Sequence, residues 1–337
     1  MNVKKHLFSL ALVLCATAFA VQVEAKDLIF NEGYDMVQVI DADTYQVSTI
    51  PIKGSVRDSA FSADKKFFYV TGSRRYLEKI DIAKRRLVNL TKVEADGWQD
   101  RFIFGLALAP DGKTGYVHLI DRKIVGDEPV VGQPEIAQIN LTTGKILRSI
   151  KVPWGVASLA LVKNGTTLYA VGQDIYPIDV AGKKMTIGKT IHLLDKGINM
   201  LAFWTYIHEN RGIWLSPYYT ATGWGLFSIN THTGKIEQTP IKGEPLFAYG
   251  AVYSPDHKKA YSVMDDVGVI DLKTRTVTKV VPNGEGTCYG NVVTSDGQRL
   301  FVGGGGSTVT VYDTATMKPI RVLQLKTDGM GLRELTY

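Results

Sequence analysis

Cysteine is nearly absent from this 337-residue chain, which contains only Cys15 and Cys288. Covalent attachment of a c-type haem needs a Cys-x-x-Cys-His motif, which the sequence does not contain. A structural zinc site needs four closely spaced Cys or His ligands, whereas the histidines here are scattered singly along the chain. We therefore predict no catalytic residue, no metal site and no cofactor in this chain. For Cys288 we expect a small buried thiol, with a reactive role as the alternative.

Two further absences exclude classes of partner. The formal net charge of +6 comes from 39 Lys and Arg against 33 Asp and Glu, and no basic run concentrates it. A nucleic-acid interface would need a basic patch interleaved with aromatic residues, so we predict no nucleic-acid partner. After the first 20 residues no apolar run reaches about 18 residues, which is the length that a membrane-spanning helix needs.

The N-terminal segment has the pattern of a secretory signal peptide. Lys4 and Lys5 precede an apolar run over residues 7–20, and small residues allow cleavage after Ala20 or after Ala25. The sequence does not choose between the two cleavage sites. We predict a signal peptide over residues 1–25, one mature domain over residues 26–337, and a periplasmic location.

One unit repeats along the chain: an alternating apolar run, an Asp or Asn, a short turn and a second run. The intervals between the polar markers are 40, 59, 39, 51, 41 and 42 residues, close to the roughly 40 to 50 residues of a four-stranded propeller blade. Two longer intervals contain insertions near 120–135 and 183–199. The seven markers are Asp41, Asp81, Asn140, Asp179, Asn230, Asp271 and Asp313. We interpret them as turn residues, because Asx side chains bind turn backbone.

A second unit pairs an apolar run with an aromatic-aliphatic run across an Asp-Gly type of turn. It occurs six times, and residues 331–337 with residues 28–31 can supply the seventh copy. Joining the chain ends in one blade removes exposed sheet edges. The sequence therefore predicts one all-β domain, a seven-bladed β-propeller whose closing blade is shared between the N- and C-terminal strands.

Aromatic and arginine side chains precede several predicted inner strands. In a propeller these loops converge on one face around the central channel, and clustered aromatic residues with Arg are typical of protein-binding surfaces. The alternative is that these rings fill gaps between blades. The candidate docking residues are Trp98, Arg101, Phe102, Trp154, Phe247 and Tyr249.

Several segments resemble the β subunit of the quinohemoprotein amine dehydrogenase family. They are the runs at residues 104–114, 201–204, 216–221 and 293–297, followed by Gly303-Gly304. The likeness extends from Leu28 to about Leu332, and the architecture also resembles the methylamine dehydrogenase heavy chain. The insertion at 183–199 and the loop at 222–224 are shorter than is usual in the family.

The resemblance implies a subunit of a periplasmic heterotrimer that oxidises primary amines to aldehydes and ammonia. A dihaem cytochrome c subunit would carry haem c, a small subunit would carry cysteine tryptophylquinone, and this chain would be the platform on which both dock. Two alternatives stay open. One is a stand-alone propeller, either lactonase-like or binding a small ligand in its axial channel, and the other is an interaction scaffold with no redox role.

Overall fold

The chain folds into seven small antiparallel sheets arranged in a ring, a seven-bladed β-propeller. The computed structural model describes residues 26–337 except 73, 96, 203–206, 209–211 and 285. The predicted signal peptide, residues 1–25, and Trp204 of the family-like run lie outside the described residues. The predicted fold class is confirmed.

Each blade begins with its inner strand and ends at its outer edge. Blade 7 contains β1 (Asp27–Asp41) and β2 (Val47–Ser55). Blade 1 contains β3 (Asp58–Phe61), β4 (Phe67–Thr71), β5 (Tyr76–Asp81) and β6 (Arg86–Lys92). Blade 2 contains β7 (Asp100–Leu108), β8 (Thr114–Val125), β9 (Glu128–Val131), β10 (Glu135–Asn140) and β11 (Ile146–Lys151). Blade 3 contains β12 (Ser158–Val162), β13 (Thr167–Val171), β14 (Ile175–Asp179) and β15 (Thr186–Ile187).

The remaining blades follow the same order. Blade 4 contains β16 (Asn199–Met200), β17 (Ile207–His208), β18 (Ile213–Thr220), β19 (Gly223–Asn230) and β20 (Ile236–Ile241). Blade 5 contains β21 (Gly250–Tyr253), β22 (Lys259–Val263), β23 (Asp266–Asp271) and β24 (Thr276–Pro282). Blade 6 contains β25 (Gly290–Val293), β26 (Arg299–Gly303), β27 (Thr308–Asp313) and β28 (Pro319–Gln324), and β29 (Gly329–Thr336) is the inner strand of blade 7. Short 3-10 turns occur at Lys163–Gly165 and Leu194–Lys196.

Blade 7 is built from both ends of the chain. Residues 27–33 of β1 pair with β29, whereas residues 34–40 pair with β2. The amide of Ala42 donates to the carbonyl oxygen of Asp27 at 3.1 Å, so β1 folds back on itself. The reversal lies near Asp35, which has a φ of 57°. The predicted closure by both chain ends is confirmed.

The seven polar markers all cap the turn that joins the third and fourth strands of a blade. Each uses Oδ1 to accept a hydrogen bond from a backbone amide two or three residues later. At Asn140, for example, the amides of Thr142 and Thr143 both donate at 2.9 Å. The structural interpretation of these residues is therefore confirmed.

The interface between blade 7 and blade 1 is packed with aromatic rings. The ring of Phe30 lies 5.0 Å from that of Phe61 and 4.8 Å from that of Phe68, and the last two are 4.5 Å apart. All three are buried. Such ring pairs add to the free energy gained from apolar burial.

Replacement of Phe30 by Ala should lower the free energy of unfolding by about 3–5 kcal/mol, because a large cavity opens at the closing interface. Urea denaturation measures the change. Phe247→Ala is the matched control, since the Phe247 side chain is 65% exposed and its loss leaves no core cavity. Equal losses in the two variants would contradict this account of closure.

Candidate functional site

The predicted docking residues belong to one face of the ring, which we call the upper face. It is formed by the loops that lead from the outer strand of one blade to the inner strand of the next. Trp98 precedes β7, Trp154 precedes β12, and Phe247 precedes β21, while Arg101 and Phe102 begin β7. The topology therefore brings residues from three blades to the same face.

The six residues differ in how far they reach solvent. Trp154 and Phe247 are exposed, and the ring of Phe247 stacks on that of Tyr219 at 5.4 Å. Tyr249 is half-buried and packs 5.2 Å from the ring of Tyr289. Trp98 and Phe102 are also half-buried. The surface therefore offers two protruding aromatic side chains and several partly covered ones.

Arg101 is held inside the fold. Its Nε donates to Asp121 Oδ1 at 2.7 Å and its second guanidinium nitrogen pairs with Oδ2 at 2.6 Å. The carboxylate of Glu135 lies 3.6 Å away, and the Glu94 carbonyl oxygen accepts a further hydrogen bond. Because its side chain is buried, Arg101 supports the upper face from below and does not offer a contact surface.

Replacement of Arg101 by Ala should lower the free energy of unfolding by about 3–5 kcal/mol, because it leaves the Asp121 carboxylate buried without its partner. The double variant Arg101→Met with Asp121→Leu should recover most of this loss. Urea denaturation of the three proteins checks both results. A loss below about 1 kcal/mol, as for an exposed ion pair, would contradict the buried role.

A protruding hairpin is the main feature that the sequence reasoning did not assign. Beyond Arg122, β8 continues to Val125 and pairs with β9 across the turn Gly126-Asp127, where Gly126 has a φ of 62°. It forms the predicted insertion near 120–135. Its four aliphatic side chains are each 39–55% exposed: Ile124, Val125, Val130 and Val131. The sequence does contain a local signal for a hairpin here, because an Ile-Val pair and a Val-Val pair flank the Gly-Asp turn.

The base of this hairpin is positively charged. Arg122 donates to Asp100 at 2.6 Å, and its guanidinium carbon lies 5.8 Å from the ring centre of Phe102. The Lys123 ammonium lies 5.2 Å from the Trp98 ring. Hydrogen bonding to Arg122 lowers the pKa of Asp100. Aromatic rings, apolar hairpin residues and cations therefore form one continuous part of the upper face.

A concave feature opens on the face opposite the upper face. A cavity of about 250 Å³ follows the inner strands β3, β7 and β12, and its mouth lies among turn residues such as Ala63 and Pro110. At Asp58, which lines it, one carboxylate oxygen accepts from the Leu106 amide at 2.7 Å and the other from the Ser59 amide at 2.8 Å. Burial raises the pKa of Asp58 to about 7, and the Arg333 guanidinium opposes this shift. The hydrogen bond from Leu106 fastens the inner strand of blade 1 to that of blade 2.

His118 is a buried histidine in β8, opposite Gly105 and Ile136 in the sheet. Neither ring nitrogen has a hydrogen-bond partner among the described residues, and the ring of Phe104 lies 6.1 Å away. Burial lowers the pKa of His118 to about 4. The imidazole is therefore neutral at neutral pH and acts as an unsatisfied part of the core.

The His118 environment predicts a specific loss of stability in acid. The unfolded imidazole titrates near 6.5 and the folded one near 4, so the unfolded state takes up its proton first as pH falls. The contribution of neutral His118 to the free energy of unfolding should be fully present above pH 6.5. It should decrease by about 3 kcal/mol by pH 4. His118→Leu should remove this part of the pH dependence in urea titrations. The control is His257→Asn, because an exposed turn histidine should leave the slope unchanged, and equal slopes in all three proteins would contradict the assignment.

The remaining candidate groups have simple placements. Cys288 is buried in the core between blades 5 and 6, as expected for a packed thiol. In the described part of the chain no group of three or more His, Cys, Asp or Glu residues could hold a metal ion. Over the same residues, no helix has the length and apolar character required to cross a membrane.

Comparison with known proteins identifies the architecture. No protein-family model and no curated protein matches this chain. A Bacteroides fragilis protein provisionally assigned as a 6-phosphogluconolactonase superposes with a TM-score of 0.62 at 12% identity, covering 93% of this chain and 99% of its own. Hydrazine synthase of Kuenenia stuttgartiensis gives 0.56 at 18% identity, covering 87% and 90%. A functionally unknown protein from Desulfotomaculum acetoxidans gives 0.63 at 12% identity, covering 92% and 98%.

These likenesses show a shared fold and no more, because the identities are low. The chain is a seven-bladed β-propeller with lactonase-like and hydrazine synthase neighbours. The amine dehydrogenase assignment stays a prediction.

Proposed function

We propose that this chain is the non-catalytic propeller subunit of a periplasmic quinohemoprotein amine dehydrogenase complex. In this complex the upper face docks a dihaem cytochrome c subunit and a small subunit carrying cysteine tryptophylquinone. The partners supply the redox groups for oxidising primary amines to aldehydes and ammonia. This chain supplies a rigid surface that fixes the partners relative to each other.

The observation that carries the proposal is the apolar hairpin on the upper face. Exposed aliphatic groups on a two-stranded extension do not serve the core, and contiguous exposed apolar surface marks interaction sites. Side chains alternate along a strand, so Ile124 and Val131 lie on one side of the hairpin and Val125 and Val130 on the other. Each side can therefore bury an aliphatic pair against a partner.

The surroundings of the hairpin have the composition of a protein interface. Trp154 and Phe247 add exposed aromatic side chains on the same face, and Trp98 and Phe102 lie with the cations at the hairpin base. Interface centres are enriched in aromatic residues and Arg. The resemblance of residues 104–114 and 216–221 to the amine dehydrogenase β subunit supports the identity of the partners.

The double variant Ile124→Ser with Val131→Ser should weaken partner retention by about tenfold or more, because interface anchors contribute on the order of 1–2 kcal/mol each. The measurement is co-purification of tagged chain from periplasmic extract of its own organism, with haem absorbance quantifying the cytochrome partner and mass spectrometry identifying both subunits.

The matched control is Leu147→Ser with Val322→Ser, which removes two exposed aliphatic groups from outer parts of blades 2 and 6. The control should retain haem as the wild type does. A wild-type chain that never retains a haem-bearing subunit would overturn the proposed function. Lactone hydrolysis by the purified chain alone, abolished by a chelator, would instead support the lactonase-like alternative.

A further inference from the structure

A cavity of about 280 Å³ lies on the upper face, next to the base of the hairpin. Arg57, Arg74, Phe102, Ile103 and Phe104 line it. The two phenylalanine rings are 6.2 Å apart and inclined at 33°. The cavity therefore combines two guanidinium groups with an aromatic wall.

Among the described residues around this cavity, the cations outnumber the carboxylates that neutralise them. Arg74 lies 3.3 Å from Asp100, and Arg122 pairs with the same carboxylate at 2.6 Å. Arg75 also acts on Asp100 and helps to lower its pKa. Arg57 is exposed and has no acidic partner among the described residues. Among the described residues, the Asp100 carboxylate is thus shared by the guanidinium groups of Arg74 and Arg122, and Arg57 has no acidic partner.

The nearby buried ion pair does not change this balance. Arg101 is satisfied by Asp121 and Glu135 beneath the surface, so neither of these carboxylates is available to the cavity. The cavity is also continuous with the hairpin, because Arg122 contacts the Phe102 ring and begins the β8 extension.

We propose that this cavity receives a carboxylate side chain of the protein that docks on the hairpin, held between Arg57 and Arg74 against the Phe102 and Phe104 rings. Guanidinium groups bind carboxylates through paired N–H donors. The edges of aromatic rings carry partial positive charge, so they tolerate an anion beside them. The partner surface is therefore acidic where it faces blades 1 and 2. This inference rests on the proposed docking function.

The first experiment measures how association with the haem-bearing partner depends on salt. Partner affinity of the wild-type chain should fall at least tenfold between 50 and 500 mM NaCl, because exposed charge pairs are screened. Arg57→Gln with Arg74→Gln should weaken binding about tenfold at 50 mM and flatten the salt dependence. The control, Lys84→Gln with Arg86→Gln, removes the same charge from an outer turn of blade 1 and should behave as the wild type.

The second experiment needs no partner and probes the cavity directly. NMR titration of the isolated chain with N-acetylglutamate α-methylamide should shift resonances around Phe102 and Phe104, whereas N-acetylglutamine α-methylamide, which has no carboxylate, should not. The double variant should lose the response while the control keeps it. Because both arginines are exposed, neither substitution opens the core, and thermal unfolding confirms that each variant is folded.

The outcomes separate the two proposals. If the wild-type chain retains no haem-bearing partner at any salt concentration, the docking function fails. If the partner is retained but the Arg57/Arg74 double variant matches the control in affinity and salt dependence, only the carboxylate site fails. An equal response to the α-methylamides of N-acetylglutamine and N-acetylglutamate would also overturn the carboxylate site.

Discussion

The pairing of the two chain ends in blade 7 is the interaction on which the rest of the structure depends. β29 is the inner strand of that blade, and residues 27–33 lie beside it. Asp27 also accepts hydrogen bonds from the amide and hydroxyl of Ser295, in the turn between β25 and β26 of blade 6. The Lys65 ammonium, in the turn between β3 and β4 of blade 1, donates to the Thr336 carbonyl oxygen. These contacts tie blades 6, 7 and 1 together. Closing the ring leaves only short, protected sheet edges, and it fixes loops from separate blades on one face.

Within this ring, the role of an arginine is decided by the exposure of its own side chain. Arg101 meets Asp121 and Glu135 below the surface and becomes part of the fold. Arg74 and Arg122 share the buried Asp100 carboxylate, but their own side chains are 63% and 41% exposed, and Arg57 is exposed with no acidic partner among the described residues. Buried pairs lose much when one member is removed, whereas exposed charges remain available to another molecule. Neighbouring residues of one type therefore divide between a structural role and the recognition role that we propose.

The sequence predicts the fold better than the site because the fold follows local rules. Each Asx marker acts within three residues of itself, so the blades and their spacing can be read along the chain, and the 331–337 strand follows from counting hairpins. Arg101 could not be placed in this way, since its partner Asp121 is 20 residues away and on the next strand. The cavity of Arg57 and Phe104 joins two blades, and no local pattern relates them. The unsatisfied state of His118 could not be predicted for the same reason: its surroundings come from neighbouring strands.

The hairpin beyond Arg122 shows how surface function can be separated from folding. A two-stranded extension is marginal by itself in water, and this one exposes its aliphatic groups where Asp or Lys would keep it soluble. Closure of blade 2 does not require it, because β7, β8, β10 and β11 already form the four-stranded path. Aliphatic residues at positions that the fold does not need fit the partner that we propose for this face. In that proposal the basic residues at the base of the hairpin orient the partner, since unlike charges steer association while apolar burial holds it.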